Sequence, residues 1–437
     1  MLPNAVGRAI HILEPAEHLR AALVQSTLEL SAPCHEKQHV ENMTRRRADL
    51  DDASTQRADD MAAECRARLI ASMQNIAAST TTSDKNNYGE RKLGILLSGG
   101  VDSCAMLHAA ALSNIQFAAA ITVSIVHPAN NPKSRAPDDE SYAIEAARLY
   151  NEQLLPHGTK MIHKIVRLTP AQLIETYSPP TIKALALWGY METRNSLIIS
   201  AALNGASAAG LTDIVTGDNA DELFGGSYDC YFSKQYESDL EGWKEKRNSM
   251  ADLPFVTQKL AKAYGITVHQ PFTDQGIFVK WALKETGRND CISKCQVQQH
   301  YGGPYEMQNC GKICLREAFC TIASWRRMDW IFRGSGAEEG NILLDHYTTH
   351  LGISTEEFAL EQKRYLAMGI KLQSPEHLHN IRIFQDVFGG LNHPTKTRYP
   401  EGDPRGCISC RFEIGDEQFC HLCDEYPAQH PTNEKSD

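Results

Sequence analysis

Short apolar runs alternate with segments of helical spacing in the middle of the chain. The run Leu93-Gly94-Ile95-Leu96-Leu97 stops at two glycines, and a stretch rich in Ala, Leu and Met follows it to Leu112. Further apolar runs lie at 117–126, 161–168 and 211–216, with helical stretches near 139–154 and 183–204. This alternation is typical of a parallel sheet flanked by helices, so we expect an α/β central domain.

The two ends of the chain have other patterns. Residues 1–88 are rich in Ala, Arg, Asp and Ser, and we expect loosely held helices and a linker there. The i, i+4, i+8, i+12 spacing of Met61, Cys65, Leu69 and Met73 predicts one helix within this segment. After about residue 230 the strand signals fade, and a helical subdomain is predicted with helices near 277–286, 312–325 and 355–368.

Composition and charge exclude several classes of protein. The longest nearly apolar run has ten residues, whereas a membrane-spanning helix needs about 20. A net charge of −10 argues against a protein that coats nucleic acid, although local basic patches remain open. Glu14 and Glu17 interrupt the only candidate signal peptide. The 13 cysteines are few for a chain of 437 residues and indicate a reducing compartment. We expect a cytoplasmic protein.

The strongest chemical signal is Ser98-Gly99-Gly100-Val101-Asp102-Ser103, between a predicted strand and a predicted helix. Glycines let the backbone approach an anion, and the N–H groups of the loop and of the helix N-terminus attract phosphate. The loop lacks the Gly-Lys-Ser/Thr ending of a Walker loop, and Asp102 implies bound magnesium instead. The alternative is a tight structural turn between strand and helix.

A second acidic motif, Thr216-Gly217-Asp218-Asn219-Ala220-Asp221-Glu222-Leu223-Phe224-Gly225-Gly226, follows the apolar run at 211–215. Ligands of open α/β sheets bind beyond the carboxyl ends of the strands, so these acids and the first loop should face one crevice. Asp102 and Asp221 could then share a magnesium ion, which prefers carboxylate and phosphate oxygens. The alternative is a solvated acidic turn.

Together the two motifs resemble the synthetase domain of the asparagine synthetases, which are PP-loop ATP pyrophosphatases. Gln270-Pro271-Phe272-Thr273-Asp274 resembles that family's Arg-Pro-Phe-Leu-Asp segment. Lys312-Ile313-Cys314-Leu315-Arg316-Glu317-Ala318-Phe319 resembles its Lys-x-x-Leu-Arg-x-Ala-Phe helix. The likeness covers about residues 90–340, and both ends of the chain match nothing that we can place.

The resemblance implies an adenine nucleotide α hydrolase-like fold and a reaction in two steps. A substrate carboxylate attacks the α-phosphate of ATP and releases pyrophosphate, and ammonia or an amine then displaces AMP. It also implies the site residues. Those for ATP and pyrophosphate are Leu97, Ser98, Gly99, Gly100, Val101, Asp102, Ser103, Val123 and Gly217. Those for magnesium are Asp102 and Asp221, and those for catalysis are Asp218, Lys312 and Arg327.

The chain departs from the family at three points. Asp218 occupies the place of a glutamate that handles the proton of the amine. Met328 replaces a lysine that neutralises charge at the α-phosphate, so Arg327, Arg333 or Lys312 must supply the cation, unless this basic cluster is simply a solvated face. Met1-Leu2 lacks the catalytic cysteine of a glutaminase. We therefore expect free ammonia, a separate glutaminase subunit, or an amine on another molecule as the nitrogen source.

The C-terminal pairs Cys407-x-x-Cys410 and Cys420-x-x-Cys423 suit a closed structural zinc site, against unpaired or redox-active thiols. A second group, Cys291, Cys295, Cys310, Cys314 and Cys320, contains pairs with helical i, i+4 spacing, and we interpret these residues as buried rather than metal-bound.

The full prediction is a parallel α/β sheet flanked by helices, a helical C-terminal subdomain and a four-cysteine zinc-type module. The predicted parts are a partly disordered helical extension (1–88), an asparagine synthetase-like PP-loop ATP-binding domain (89–345), a helical extension (346–400) and the Cys-x-x-Cys module (401–437).

Two other functions stay open. A sulfur-inserting tRNA-modifying PP-loop enzyme would use Cys104 and the C-terminal pairs, although the net charge makes nucleic acid an unexpected partner. A nucleotide-binding regulator that has lost catalysis would bind ATP without forming AMP. Glu192, Thr193 and Arg194 precede the acidic motif and are candidates for the substrate pocket.

Overall fold

A parallel five-stranded sheet forms the centre of the molecule. The computed structural model describes residues 42, 50–81, 91–126, 138–226, 229–251, 255–298, 302–319, 343, 346–347, 351–415 and 418–429. The strands are β1 (Leu93–Leu96), β2 (Ala119–Ile125), β3 (Ile162–Leu168), β4 (Asp213–Val215) and β5 (Thr267–His269). Their order is β3-β2-β1-β4-β5, and every neighbouring pair is parallel. The predicted α/β fold is confirmed.

Helices of very different length surround this sheet. Those before the second acidic motif are α1 (Asp52–Thr81), α2 (Val101–Leu112), α3 (Asp138–Leu149), α4 (Pro170–Leu185) and α5 (Tyr190–Ala208). The motif and the following segment carry α6 (Ala220–Phe224), α7 (Leu240–Ala251), α8 (Thr257–Ala263), α9 (Lys280–Glu285) and α10 (Arg288–Cys291). The rest are α11 (Ile313–Ala318), α12 (Thr355–Ala367) and α13 (Pro375–Phe388). A two-stranded antiparallel hairpin, β6 (Ser293–Gln298) and β7 (Tyr305–Cys310), leads into α11.

Two hydrophobic cores lie on opposite faces of the sheet. Successive residues of a strand point to opposite faces, and Ala120 accordingly belongs to one core while Ala119 and Ile121 belong to the other. The first core contains α1, α2 and α3. The second contains parts of α4, α5 and α13 together with the four C-terminal cysteines. Because both faces are covered at the centre of the sheet, the central strand β1 is apolar on both sides, as buried parallel strands usually are.

The helix predicted from Met61, Cys65, Leu69 and Met73 is formed. It is α1, and the last three of these side chains are completely buried in the first core. Arg66 extends from the same helix and donates to the carbonyl of Ala318 at the end of α11. This part of the N-terminal segment is therefore packed firmly onto the α/β body. The division of the chain at residue 88 stays a prediction.

Three predictions about individual secondary-structure elements were wrong. Strands do continue after residue 230, because β5, β6 and β7 lie there. The i, i+4 spacing of the cysteines is not helical, since Cys295 and Cys310 lie in the hairpin. The single helical stretch expected at 183–204 is divided between α4 and α5, because Ala186 adopts a left-handed conformation with φ of 57°. Within the described ranges, no helix combines the length and the apolarity that a bilayer span requires.

Candidate active site

The strand order reverses between β1 and β4, and the loops after these two strands carry both predicted motifs. In β3-β2-β1-β4-β5 the chain moves outward in one direction from β1 and in the other from β4. Such a reversal opens a crevice at the carboxyl ends of the two central strands. Ser98–Ser103 follows β1 and Thr216–Gly226 follows β4. The fold therefore brings together the two segments that the sequence predicts to share one site.

The first loop forms a cradle that suits an anion. Gly99 has φ of +73°, and a Cβ at this position would lie 2.5 Å from the backbone nitrogen of Ala143. Gly100 precedes the first residue of α2, so the N–H groups of the first turn have no acceptor within the helix. Ser103 Oγ donates to the Gly100 carbonyl at 3.1 Å and lies 3.4 Å from Ser98 Oγ. Both hydroxyls thus border the helix N-terminus.

A buried lysine joins the two predicted magnesium ligands. Lys312 Nζ lies 2.6 Å from Asp102 Oδ2 and 2.7 Å from Asp221 Oδ2. The Lys312 side chain is 0% exposed, whereas Asp102 and Asp221 are 12% and 20% exposed towards the crevice. Burial alone would lower the pKa of the Lys312 ammonium, but the two carboxylates outweigh it and raise that pKa. Lys312 is therefore a fixed positive charge at the base of the crevice.

Backbone contacts explain why Lys312 reaches this position. Lys312 precedes α11 in a left-handed conformation with φ of 61°, and its backbone N–H donates to the Phe224 carbonyl at the end of α6. A Cβ on the preceding Gly311 would lie 1.8 Å from the Gly225 carbonyl oxygen, so only glycine permits this approach. The helix of the Lys-x-x-Leu-Arg motif and the acidic motif are thus held in direct contact.

Asp102 and Asp221 also provide carboxylate oxygens that suit a magnesium ion. Asp102 Oδ1 is buried and has no hydrogen-bond partner among the described residues. Burial raises the pKa of Asp102 to about 6, with Lys312 acting in the opposite direction and Asp221 raising it again. A buried carboxylate oxygen without a partner is unfavourable unless a cation or water satisfies it. Two carboxylates with a spare oxygen fit the preference of magnesium for hard ligands.

Gly217 lets the second loop approach the first. A Cβ at this position would lie 2.8 Å from the Asp102 Cβ, so a side chain there would displace the carboxylate. The neighbouring Asp218 accepts hydrogen bonds from Thr216 Oγ1 at 2.7 Å and from Gln270 Nε2 at 2.6 Å. These bonds fix Asp218 at the carboxyl end of β4. Sequence reasoning did not identify Gln270 as a partner of Asp218, because the two residues are 52 positions apart.

The backbone around Val123 faces the open end of β1. The Leu97 N–H donates to the Ile121 carbonyl in the last contact between β1 and β2. Backbone groups two residues further along a strand point to the same side, so those of Val123 also point towards β1. Because β1 ends at Leu96, these groups border the start of the Ser98 loop. This position agrees with the predicted role of Val123 beside an adenine ring, which stays a prediction.

The first turn of α5 borders the acidic motif. Burial raises the pKa of Glu192, and the negative charge of Asp218 raises it further. Thr193 is completely buried. Arg194 forms a bidentate ion pair with Glu376 of α13, and the Glu376 side chain is 0% exposed. Arg194 is thus bound within the protein, and Glu192 is the member of this turn whose pKa Asp218 raises.

The four C-terminal cysteines form a metal-binding geometry. The Sγ atoms of Cys407, Cys410, Cys420 and Cys423 all lie within 4.8 Å of one another, and all four residues are buried. Four thiolates at this spacing fit one tetrahedral zinc ion of the closed, structural kind. No other group of three or more such ligands was found among the described residues.

The other cysteines lie in two separate places. Cys291 and Cys314 are buried in the first core, and burial raises the pKa of each thiol. Cys295 and Cys310 belong to a small cluster within the hairpin, where their mutual hydrogen bond lowers the pKa of Cys310 to about 7. The expectation that these residues are buried is confirmed. Cys320 lies outside the described residues, as do Arg327, Met328 and Arg333.

A comparison with protein families agrees with this geometry. Residues 84–264 match the family model described as asparagine synthase. The matched range contains the Ser98–Ser103 loop and the Thr216–Gly226 motif, while Gln270 and Lys312 lie beyond it. No curated protein matches the chain closely enough to count as a relative. Residues 84–264 are therefore similar to the asparagine synthase family, which supports a synthetase-type domain over this range.

Proposed function

We propose that the chain is an ATP-dependent carbon–nitrogen ligase that activates a substrate carboxylate by adenylation. A carboxylate oxygen attacks the α-phosphorus of ATP, the bond to the bridging oxygen breaks, and pyrophosphate leaves. Ammonia or an amine then attacks the acyl carbon, loses a proton, and releases AMP. The observation that carries this proposal is the Asp102–Lys312–Asp221 group directly beneath the Ser98–Ser103 loop.

The charges of this group suit the departure of pyrophosphate. Magnesium, bound by Asp102 and Asp221 together with ATP, supplies the charge that stabilises the leaving group. Lys312 prepares the site beforehand, because it holds both carboxylates in place and offsets part of their repulsion. Asp102 and Asp221 are the residues that would hold the metal, and the Lys312 ammonium group would supply a further positive charge beside it. Preorganised charge of this kind is usually the largest contribution to such catalysis.

Lys312 is also a candidate for the positive charge that Met328 cannot supply. Lys312 lies in the Lys-x-x-Leu-Arg motif and approaches the phosphate cradle through Asp102, so it is a candidate for the missing cation. Arg327, the other candidate, stays a prediction. An ammonium group is a compact charge that can move between carboxylate and phosphate, which a bidentate guanidinium does less readily.

The acidic pair Asp218 and Glu192 is proposed to receive the nitrogen donor. Asp218 is held by Thr216 and Gln270, so its position is fixed before the amine arrives. Burial and the negative charge of Asp218 raise the pKa of Glu192, which makes this carboxylate a stronger base than an exposed one. Together they would attract an ammonium ion and take up the proton that the attacking amine loses. The donor is free ammonia, ammonia from a separate glutaminase subunit, or another small amine.

The four-cysteine cluster is proposed to hold structural zinc, and the protein is proposed to act in the cytoplasm. The competing tRNA-sulfur function requires a reactive thiol near the loop. Cys104 is only 1% exposed and packs within the first core, which is unfavourable for a sulfur carrier. The alternative function, a nucleotide-binding regulator, predicts that the protein binds ATP but forms no AMP.

The experiment that tests this proposal measures pyrophosphate and AMP release from magnesium-ATP. Purified protein is incubated with ammonium and a panel of carboxylates that includes aspartate. We expect pyrophosphate to appear only with particular carboxylates and to disappear in Asp102→Ala. Asp386→Ala, which removes an exposed acid from α13, is the matched control and should keep full activity. ATP binding without pyrophosphate or AMP across the panel would reject the ligase and favour a regulator.

A further inference from the structure

The four-cysteine module is in direct contact with the start of α5. The Leu422 carbonyl, between two of the cysteines, accepts hydrogen bonds from the backbone N–H groups of Trp188 and Gly189 at 3.0 and 2.9 Å. Asp424 Oδ2 accepts one from the Met191 N–H at 2.7 Å. These bonds satisfy the N–H groups that a helix N-terminus leaves without partners.

The residues on the α5 side of this contact pack closely against the module. A Cβ on Gly189 would lie 2.3 Å from Asp424 Oδ1, so any side chain there would displace the carboxylate. Trp188 is completely buried and meets Phe412 of the module edge to face, with ring centroids 5.7 Å apart. The contact therefore includes both backbone hydrogen bonds and core packing. These contacts hold the first residues of α5 in place.

The first turn of α5 carries Glu192, whose carboxyl group is repelled by the negative charge of Asp218. A displacement of this turn would therefore move one of the two carboxyl groups proposed to receive the amine. The phosphate loop is placed differently, because Val101 and the following turn of α2 belong to the core on the opposite face of the sheet. The four cysteines and Trp188 belong to the second core. The module is thus joined directly to the start of α5, whereas the phosphate loop continues into the first core.

We infer that the four-cysteine module positions the amine-binding side of the active site, with Asp424 as the positioning residue. This inference rests on the proposed function for the identity of the amine, but the placement of α5 can be tested without it. Metal bound by the cysteines fixes the 420–424 turn, the turn caps α5, and the cap sets the place of Glu192. The module is thereby part of the mechanism for using the nitrogen donor.

The first experiment measures amide hydrogen exchange in the full-length protein loaded with zinc. Asp424→Ala should increase exchange at the Met191 N–H by about tenfold, since the acceptor of this N–H group is lost. Gly189→Ala should give the same result from the other side of the contact, with all module residues intact. Glu413→Ala, which removes an exposed acid of the same module, should leave exchange unchanged. Zinc content, measured by mass spectrometry, should stay at one per chain in all three variants.

The second experiment separates the two half-reactions. Exchange of labelled pyrophosphate into ATP in the presence of carboxylate alone should change less than twofold in Asp424→Ala. The KM for ammonium in amide formation should rise about tenfold, while the KM for ATP stays constant. A general loss of folding would instead weaken both half-reactions and ATP binding together.

The two experiments have distinct outcomes. Unchanged exchange at the Met191 N–H in both Asp424→Ala and Gly189→Ala would overturn the inference. An equal rise of the KM values for ATP and ammonium would overturn it as well. Failure of the proposed ligase function would remove only the kinetic measurement, because the hydrogen-exchange result does not depend on turnover.

Discussion

Replacement of Lys312 by methionine removes the positive charge between two buried carboxylates and keeps most of the side-chain volume. The carboxylate oxygens of Asp102 and Asp221 both contact Lys312 Nζ, at 2.6 and 2.7 Å. They are therefore roughly 5 Å apart or less, and at an effective dielectric constant of about 20 their repulsion is about 3 kcal/mol. Removal of one partner from a buried ion pair costs about 3–5 kcal/mol. We expect Lys312→Met to lose stability of this size at pH 7.5.

The loss should depend on pH in a defined direction. Burial already raises the pKa of Asp102 to about 6, and Lys312 is the main influence that lowers it. Without Lys312 this pKa rises further above its unfolded value of about 3.9. A group whose folded pKa is raised adds stability below its unfolded pKa and loses it as pH rises through the folded pKa. The cost of Lys312→Met should therefore be about 1–2 kcal/mol smaller at pH 5 than at pH 7.5, since each pKa unit corresponds to about 1.4 kcal/mol.

Urea unfolding followed by tryptophan fluorescence measures this cost, because Trp188, Trp243 and Trp281 are buried. Lys294→Met replaces an exposed lysine of the nearby strand β6 and is the matched control, with an expected change below about 0.5 kcal/mol. If Lys312→Met were within 1 kcal/mol of the original protein, or lost the same stability at both pH values, the electrostatic account of this group would be refuted.

Three further predictions concern other parts of the fold. Gly99→Ala should cost about 3 kcal/mol in thermal or urea unfolding, because φ is +73° and the new Cβ would lie 2.6 Å from the Tyr142 Cβ; an unchanged midpoint would contradict the close contact. Arg194→Met should cost about 3–5 kcal/mol, since it leaves the Glu376 carboxylate buried without its partner, and the double variant with Glu376→Gln should recover part of this loss. Cys420→Ser should abolish binding of one zinc ion per chain, measured by mass spectrometry of the desalted protein, and lower the melting temperature; full zinc retention would show that the four-thiolate site is not the metal site.

The central sheet could be predicted from the sequence because most of its strands lie in apolar runs. The runs at 117–126, 161–168 and 211–216 correspond to β2, β3 and β4. The edge strand β5, Thr267–His269, has only three residues, of which two are polar and none is completely buried. Strand β5 forms because it pairs with β4, and no local sequence pattern predicts such pairing. The hairpin β6–β7 was missed for a similar reason, because exposed polar residues interrupt its alternation.

In the candidate site, too, the local sequence motifs could be predicted and the contacts between distant residues could not. The Ser98–Ser103 loop and the acids after β4 are local motifs with a physical rationale, and both were predicted. The Lys312 bridge between Asp102 and Asp221 is not local, since it joins residues 210 and 91 positions apart. The contact of Asp424 with α5 spans 233 positions and likewise depends on the folded chain. Sequence reasoning thus identified Asp102, Asp221 and Lys312 without their mutual contacts, and it did not identify Asp424.

Release of pyrophosphate from magnesium-ATP tests the central claim most directly. The account predicts that sustained turnover yields pyrophosphate and AMP in equal amounts when a suitable carboxylate and ammonium are both supplied, and that Asp102→Ala releases no pyrophosphate. Release of ADP and phosphate, or pyrophosphate that forms equally well in Asp102→Ala, would contradict it.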